Sequence, residues 1–281
     1  MKIGKYEIRI INSGYFYLDG GGMFGIIPKP LWEKTNPADE SNRVKLATRN
    51  LLLVSDNKKI LIDTGMGKKW SKKSMEIYQV EQEEFSLESS LTKLSLAANE
   101  ITDVILTHLH FDHTGGSTKT IDGKLQPTFE NARYHVSQKN FDWAMNPSER
   151  DKGSYIKDNF LPLHENGVLF FTQEKYFDDE IELIGVNGHT FGMQLIKIFD
   201  PSNTILFCAD LLPFSSHIPL PYVMGYDLQP VVTVEEKKKI LPQAVEGNWI
   251  LCFEHDPFHA FATVEQTEIG FRAKERFDEL G

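Results

Sequence analysis

The feature that most constrains this chain is a cluster of three histidines and one aspartate within six consecutive residues. It lies in the stretch 107–116, which reads Thr-His-Leu-His-Phe-Asp-His-Thr-Gly-Gly and follows a short apolar run. If the chain is extended at His108 and His110, the two-residue period of a strand points both imidazoles to one side. A turn after them would bring Asp112 and His113 round to face the pair. Neutral imidazole and carboxylate suit a divalent ion such as zinc, so the stretch predicts a metal site.

This cluster offers more ligands than one ion needs, because a catalytic zinc ion takes about three protein ligands. The spacing therefore favours two ions. A chance grouping of structural histidines is the alternative, but nine histidines in 281 residues would rarely produce this spacing.

A second carboxylate stands where burial would be costly. Asp210 follows four apolar or small residues and would be expensive to bury without a partner, so we expect a cation beside it. Two more histidines lie at the ends of apolar runs. His189 is in a glycine-flanked turn at 187–192, and His255 follows the run 249–253.

The stretch 107–116 resembles the signature of the metallo-β-lactamase superfamily, a group of mostly hydrolytic enzymes. Four further points, at Asp63, His189, Asp210 and His255, match the family's motifs in the expected order. The resemblance implies a mixed α/β (α+β) chain that folds as a four-layer αββα sandwich, with the metals at one edge. It also implies a single domain over residues 1–281.

The resemblance implies a role for each matched residue. The implied ligands are His108, His110 and His189 for the first ion, Asp112, His113 and His255 for the second, and Asp210 as a bridge. Asp63 would support the ligand loop by hydrogen bonding, although taken alone such a residue is more often a cap or turn former. The implied cofactors are two divalent metal ions, zinc in first place and Mn, Fe or Co as alternatives.

Two ions about 3.5–4 Å apart can share a water and lower its pKa from 15.7 towards about 7. The expected activity is that of a dinuclear-metal hydrolase with a metal-bridging hydroxide. Asp112 and Asp210 are the catalytic candidates, and Asp112 is the best placed to shuttle a proton.

Apolar segments rich in glycine or proline lie at about 15–32 and at 211–222. We predict that the first segment is a loop. The alternatives for the role of these segments are the wall of a substrate pocket, a subunit contact and a satellite core beneath a long loop. The candidate pocket residues are Met23, Phe24, Trp32, His217, Tyr222 and Tyr226.

Together with the ligand set, the first segment resembles a bacterial branch of quorum-quenching N-acyl homoserine lactonase-like proteins. This resemblance implies that the substrate is a lactone or a related ester. One departure is Pro213, since well-known lactonases carry a tyrosine at that place. Organophosphate or phosphoester hydrolysis, an iron-dependent oxidoreductase and a non-catalytic binding protein are the alternatives.

The formal net charge of −10 opposes a nucleic-acid partner, which needs a basic surface. Two lysine groups, at 68–73 and 237–239, are interpreted as solvated faces. The sequence contains no run of about 18 apolar residues, so we predict no membrane span. Cys208 and Cys252 lie in apolar runs and favour a reducing cytoplasm. The expected partner is a small-molecule substrate with an apolar portion, and a homodimer is left open.

Hydrophobic periodicity and turn residues predict the secondary structure. Strands are predicted at 6–11, 51–55, 59–63, 132–136, 168–171, 181–186, 194–199 and 204–208, with a closing strand and charged tail in 267–280. Helices are predicted from a cap at Ser86 and at 137–145, 155–164 and 234–246. His135 and His164 stand alone in these elements and are interpreted as structural or surface residues.

Overall fold

The structure is a computed structural model that describes residues 1–82, 86–172 and 175–280. Two seven-stranded sheets, one two-stranded sheet and eight α-helices lie in these ranges, which confirms the predicted mixed α/β class. The chain divides into two compact units. Met1–Tyr15 and Thr48–Glu174 form the first, and Phe16–Ala47 and Lys175–Gly281 form the second. Whether they make a single domain stays a prediction. No helix in the described ranges is both long enough and apolar enough to cross a membrane.

The first large sheet has the strand order β1-β2-β3-β4-β5-β8-β9, and its last four strands are mutually parallel. Its strands are β1 (Lys2–Ile3), β2 (Tyr6–Asp19), β3 (Arg43–Val54), β4 (Lys59–Ile62), β5 (Asp103–Ile105), β8 (Arg133–Ser137) and β9 (Leu169–Thr172). A separate hairpin consists of β6 (Thr118–Ile121) and β7 (Lys124–Pro127). Because parallel strands end at the same sheet edge, Asp63 and Thr107 come together just past β4 and β5.

The second large sheet runs in sequence order from β10 to β16, and only β13 and β14 are parallel neighbours within it. Its strands are β10 (Tyr176–Asp178), β11 (Ile181–Val186), β12 (Met193–Phe199), β13 (Thr204–Phe207), β14 (Ile250–Cys252), β15 (Phe261–Thr267) and β16 (Gly270–Phe277). Both β13 and β14 end immediately before segments that carry predicted ligands.

Most helices are short. They are α1 (Gly20–Phe24), α2 (Lys29–Trp32), α3 (Lys72–Tyr78), α4 (Leu87–Lys93), α5 (Phe111–Thr114), α6 (Gln138–Met145), α7 (Leu161–Glu165) and α8 (Pro230–Glu246). Ser86 caps α4 as predicted, with its hydroxyl accepting from the backbone N–H of Ser89 at 3.2 Å.

Each unit has its own hydrophobic core. In the first unit, Leu52, Leu61 and Val104 of the sheet pack against Leu91 of α4 and Phe141 of α6. In the second unit the apolar face of α8 packs on the sheet. The residues of that contact include Ile240, Leu241 and Ala244 on the helix and Leu206, Leu251 and Val264 on the strands. Packing in these two cores fixes the positions of the strands that precede the candidate ligands.

Three sequence predictions about regular structure differ from the structure. The helix predicted at 155–164 begins only at Leu161, since the short 3₁₀ turn Lys157–Asn159 precedes it. The segment 15–32 contains the end of β2 and two short helices, because Asp19 caps α1 through the N–H of Gly22 and Pro30 fits the first turn of α2. The C-terminal region is a hairpin of β15 and β16, closed between Thr267 and Gly270. The predicted closing strand is present as β16, but the charged residues in 272–276 belong to this strand and not to a separate tail.

Candidate metal centre

In the first unit the predicted ligand loop begins just past β5 and ends in the single turn of α5. His108 and His113 are fully buried, while His110 and Asp112 are each 7% exposed. The loop is fixed by bonds from its backbone. Leu109 N–H donates to the Oδ1 atom of Asn140 at 2.9 Å, which ties the loop to α6.

His108 has a fixed tautomer. The hydroxyl of Thr107 has one proton, and it donates that proton to Oδ2 of Asp63 at 2.6 Å. The Thr107 oxygen, 3.0 Å from Nδ1 of His108, therefore acts as the acceptor for the Nδ1 proton. The Nε2 atom of His108 is left with its lone pair, and it lies 3.0 Å from Nδ1 of His110.

Asp63 orients this half of the candidate site. Its Oδ1 accepts from the backbone N–H of Thr107 at 2.7 Å, and its Oδ2 also lies 3.1 Å from Nδ1 of His113. The bond to Nδ1 turns Nε2 of His113 towards Asp112, whose Oδ2 is 3.8 Å away. Asp63 itself has a left-handed backbone with φ of 55°, which is strained for a non-glycine residue.

Lys69 holds the chain that follows the ligand loop. Its ammonium donates to the carbonyl of Gly115 and, at 2.7 Å, to that of Thr118. Burial lowers the pKa of Lys69 to about 8, and Asp158 opposes the shift. Gly115 is required here, because an added Cβ would lie 1.9 Å from the carbonyl oxygen of Met66.

In the second unit, His189 is presented by a tight turn after β11. The carboxylate of Glu236 on α8 accepts from the N–H of Asn187 at 2.6 Å and from that of Gly188 at 3.1 Å. Burial raises the pKa of Glu236, and these two bonds oppose that effect. A Cβ at Gly188 would lie 2.3 Å from the hydroxyl of Thr233, so only glycine fits.

Asp227 sets the orientation of the His189 ring. Its Oδ1 lies 3.1 Å from Nδ1 of His189, and its Oδ2 accepts from the hydroxyl of Thr233 at 2.9 Å. Because Nδ1 of His189 donates a hydrogen bond to Asp227, its Nε2 atom is turned towards Asp210, whose Oδ2 is 3.1 Å away.

His255 faces the other oxygen of the same carboxylate. Its Nδ1 lies 2.8 Å from the carbonyl oxygen of Ala47, which can only accept, so Nδ1 carries the proton. Its Nε2 lies 3.1 Å from Oδ1 of Asp210. Asp210 follows Ala209, whose φ of 43° is costly for alanine by about 1–2 kcal/mol. The chain therefore accepts strain where it presents this carboxylate.

The donor atoms fit divalent metal ions. The Nε2 atoms of His189 and His255 each lie 3.1 Å from a different oxygen of Asp210, so these three side chains can direct nitrogen and oxygen lone pairs at a divalent cation placed among them. Ligand atoms bound to tetrahedral zinc at 2.0–2.1 Å lie about 3.3 Å apart. The spacings of 3.0 Å between His108 and His110 and 3.1 Å at Asp210 are close to that value. The histidine and aspartate side chains therefore form clusters whose ligand atoms lie close enough together to hold a metal ion.

Comparison with known proteins agrees with this chemistry. The family model described as "Metallo-beta-lactamase superfamily" matches residues 46–255. The chain belongs to that superfamily. The match includes every predicted metal ligand, and the predicted family and fold are confirmed.

Four proteins that are similar to this superfamily member are compared with it. The structure of a probable metal-dependent hydrolase from Staphylococcus aureus is 29% identical, with a TM-score of 0.89 over 100% of this chain and 99% of that one. The structure of AidC, a dizinc quorum-quenching lactonase, has a TM-score of 0.82, with 22% identity over 100% of this chain and 97% of that one, and shows the fold alone. The N-acyl homoserine lactonase AttM of Rhizobium radiobacter is 27% identical over 55% of this chain and 57% of its own length. The chain thus matches little more than half of this curated lactonase, and only 34% of a probable metallo-hydrolase of Methanocaldococcus jannaschii.

Most of the predicted pocket residues of this superfamily member are buried against one another. Met23, Phe24, Trp32 and His217 are each at most 2% exposed. Phe24 stacks on Trp32 at 5.0 Å and on His217 at 4.9 Å between ring centroids, and Tyr222 meets its edge. Only Tyr226, 41% exposed, offers a large open surface. Their part in substrate binding stays a prediction.

Sequence reasoning missed an aromatic cluster beside Asp112, formed by Trp70, Tyr78 and Phe111. Its ring centroids lie 5.1–5.8 Å apart. Burial raises the pKa of the Tyr78 phenol, and the negative charge of Asp112 adds to the shift. Trp70 and Tyr78 stand outside any motif, at the two ends of the α3 segment, so sequence spacing gave no signal for them.

The two isolated histidines lie away from these clusters. His135 is partly buried, and its Nε2 lies 2.9 Å from Oδ1 of Asp103 on the neighbouring strand. His164 is exposed and contacts the rings of Phe141 and Phe171. Both therefore have the structural contacts expected of them.

Proposed function

We propose that this protein is a metal-dependent hydrolase that uses two divalent ions, with zinc as the first choice. The proposed ligands are His108, His110, Asp112, His113, His189, Asp210 and His255. The observation that carries the proposal is the Asp210 carboxylate, each of whose oxygens faces the Nε2 atom of a different histidine at 3.1 Å. A carboxylate with a separate partner on each oxygen suits a bridge between two cations.

When bound, two such ions would polarise the substrate carbonyl and make a water nucleophilic near neutral pH. The residues of the chain have three tasks. Asp63 and Asp227 hold the imidazole rings so that the correct nitrogens face the ions. Asp112 accepts a proton from the reacting water and passes it to the leaving oxygen. Trp70 and Phe111 exclude water from the apolar side of the substrate.

The proposed substrate is a lactone, such as an N-acyl homoserine lactone, or a related ester. The similarity to AttM supports this choice, and the aromatic cluster formed by Trp70, Tyr78 and Phe111 offers an apolar surface for an acyl chain. Pro213 cannot supply the hydroxyl that a tyrosine would offer there, so the ring oxygen or carbonyl must be contacted by another group. Hydrolysis of phosphotriesters or phosphoesters on the same metal site is the alternative.

The proposed setting is the cytoplasm, with a small molecule as the reaction partner and neither nucleic acid nor membrane involved. Cys208 and Cys252 support it, since both are buried free thiols. Self-association as a homodimer is left to measurement.

The test combines metal analysis with a substrate panel on purified protein. We expect two divalent ions per chain and the highest kcat/KM on a long-chain homoserine lactone, ahead of aryl esters and phosphotriesters. Asp210→Asn should lose metal and abolish turnover. Asp200→Asn is the matched control, because Asp200 accepts the backbone N–H bonds of Ser202 and Asn203 in the turn between β12 and β13 and is not a proposed ligand. Full activity in Asp210→Asn would refute the proposed bridge, and preference for phosphotriesters would refute the substrate class.

A further inference from the structure

A cavity of about 250 Å³ lies within the second unit, apart from the groups that face Asp210. Its lining is formed by polar side chains and one phenyl ring. These residues are Thr35, Asn36, Ser215, Ser216, Asp256, Phe258, His259 and Arg276. The proposed hydrolysis gives this cavity no role, and the sequence motifs do not include it.

Arg276 brings a positive charge to the cavity without an acidic partner. Its Nε donates to the hydroxyl of Ser215 at 3.2 Å, and in the described part of the chain its two terminal nitrogens have no hydrogen bond or ion pair. Other arginines of this acidic chain are paired, as Arg9 with Glu7, Arg43 with Asp39 and Arg272 with Glu265. Arg276 is exposed, and the guanidinium fork that it presents at the cavity lining suits a planar or tetrahedral oxyanion.

The one carboxylate that lines the cavity is already satisfied. Asp256 accepts from the N–H of Ser215 through Oδ2, and from those of Phe258 and His259 through Oδ1, all at 2.9 Å. Three backbone donors stabilise its negative charge and hold the rim of the cavity in place. Among the described residues, no hydrogen bond or ion pair joins Asp256 to Arg276.

The remaining polar groups add donors. Asn36 is 2% exposed, and its Oδ1 accepts from the hydroxyl of Ser216 at 2.8 Å, while its amide nitrogen has no partner among the described residues. The hydroxyl of Ser215 accepts from Arg276, which leaves its own proton for a ligand. An amide nitrogen at the cavity lining that donates to no described residue is able to donate to an acceptor bound there.

We propose that this cavity binds a small organic oxyanion, with its carboxylate or phosphate on Arg276, Asn36 and Ser215. Phe258 is 48% exposed at the cavity and would cover the carbon part of the ligand. The net charge of the chain is −10, so an anion is drawn here by the local donors rather than by the overall field. This inference does not depend on the proposed hydrolysis.

The test titrates benzoate and, separately, inorganic phosphate into metal-loaded protein by calorimetry. Arg276→Gln should weaken the binding of both anions about tenfold or more, the loss expected of hydrogen bonds to a charged group. Arg272→Gln is the matched control, on the same strand but paired with Glu265, and should bind as the wild type does. Any anion bound at the metal ions is unchanged between these two variants and cancels in the comparison.

Two further variants separate the parts of the site. Phe258→Ala should weaken benzoate but not phosphate, and an equal effect on both would refute the apolar contact. Arg276→Lys, which keeps the charge, should bind phosphate better than Arg276→Gln does. If the wild type shows no saturable binding of either anion, or if the glutamine variants at 276 and 272 bind equally, the oxyanion site is refuted.

Discussion

The Nδ1 atom of His113 lies 3.1 Å from Oδ2 of Asp63, and neither side chain has any solvent exposure. Asp63 thereby links the ends of β4 and β5, since the same carboxylate binds Thr107 through both the backbone N–H and the hydroxyl. One buried acid thus sets the tautomers of His108 and His113 together. A carboxylate in this position suits the support of histidines that are candidate metal ligands.

Replacement of Asp63 by asparagine should weaken metal affinity by about 10–100-fold, the usual effect of losing such a supporting carboxylate. An amide cannot accept with both of its polar atoms, so either Thr107 or His113 loses its bond. Metal titration with a chelator of known affinity measures the loss. Asp103→Asn is the control, because its carboxylate also pairs with a histidine, His135, on a neighbouring strand. Equal metal affinity in the two variants would contradict the role of Asp63.

The turn before His189 offers a steric test. Gly188→Ala places a Cβ 2.3 Å from the Thr233 hydroxyl, so the turn or α8 must shift. We expect a loss of about 1–3 kcal/mol in the free energy of unfolding, together with weaker metal binding. Gly185→Ala on β11 is the control, because nothing lies within 4 Å of its added Cβ. Denaturant unfolding of both variants decides the matter, and a neutral Gly188→Ala would refute the close approach.

The ligand loop could be predicted because its information is local. His108, His110, Asp112 and His113 lie within six residues, and the cap at Ser86 needs only the residues of its own first turn. Asp227 is different, since it lies 38 residues from His189, and only the path of the chain brings the two together. The aromatic partners of Phe111 are likewise distant in sequence.

Lys237 shows a signal that was present but misinterpreted. The triplet 237–239 is interpreted from the sequence as a solvated face, and that interpretation is wrong for its first member, which is fully buried. Thr233, Ile240 and Leu241 are buried on the same face of α8. Helical spacing puts Lys237 in that row, so the periodicity of the helix outweighs the charge run.

Lys237 organises the segment after Asp210. Its ammonium donates to the carbonyls of His217, Pro219 and Tyr222 at 2.6–2.9 Å, and burial lowers its pKa to about 7. Lys237→Met leaves these carbonyls without their donor and should cost about 3 kcal/mol or more in the free energy of unfolding.

Lys238→Met is the control for this prediction, because that side chain is exposed and only pairs with Glu235. Its effect should stay within about 0.5 kcal/mol. Chemical denaturation of the two variants gives the comparison directly. A Lys237→Met variant as stable as Lys238→Met would show that the carbonyl contacts contribute nothing.

His217 predicts how stability depends on acid pH. Burial lowers the pKa of His217 to about 3 from an ordinary 6.5, Lys237 adds to the shift, and the carbonyl of Met23 and the charge of Asp210 oppose it. Between those two pH values the unfolded chain binds a proton that the folded chain does not. The free energy of unfolding should therefore fall as the pH drops below 6.5, by up to about 1.4 kcal/mol per pH unit from this group.

His217→Gln removes this titration while keeping a donor for the carbonyl of Met23, which lies 2.9 Å from Nε2. Its free energy of unfolding should fall less steeply than that of the wild type over a pH range of about 7 to 4.5. His164→Gln is the control, since it makes the same substitution at an exposed imidazole. Urea unfolding at a series of pH values measures the three slopes. Because the other titrating groups are common to all three proteins, identical slopes for wild type and His217→Gln would mean that His217 takes up a proton in the folded state.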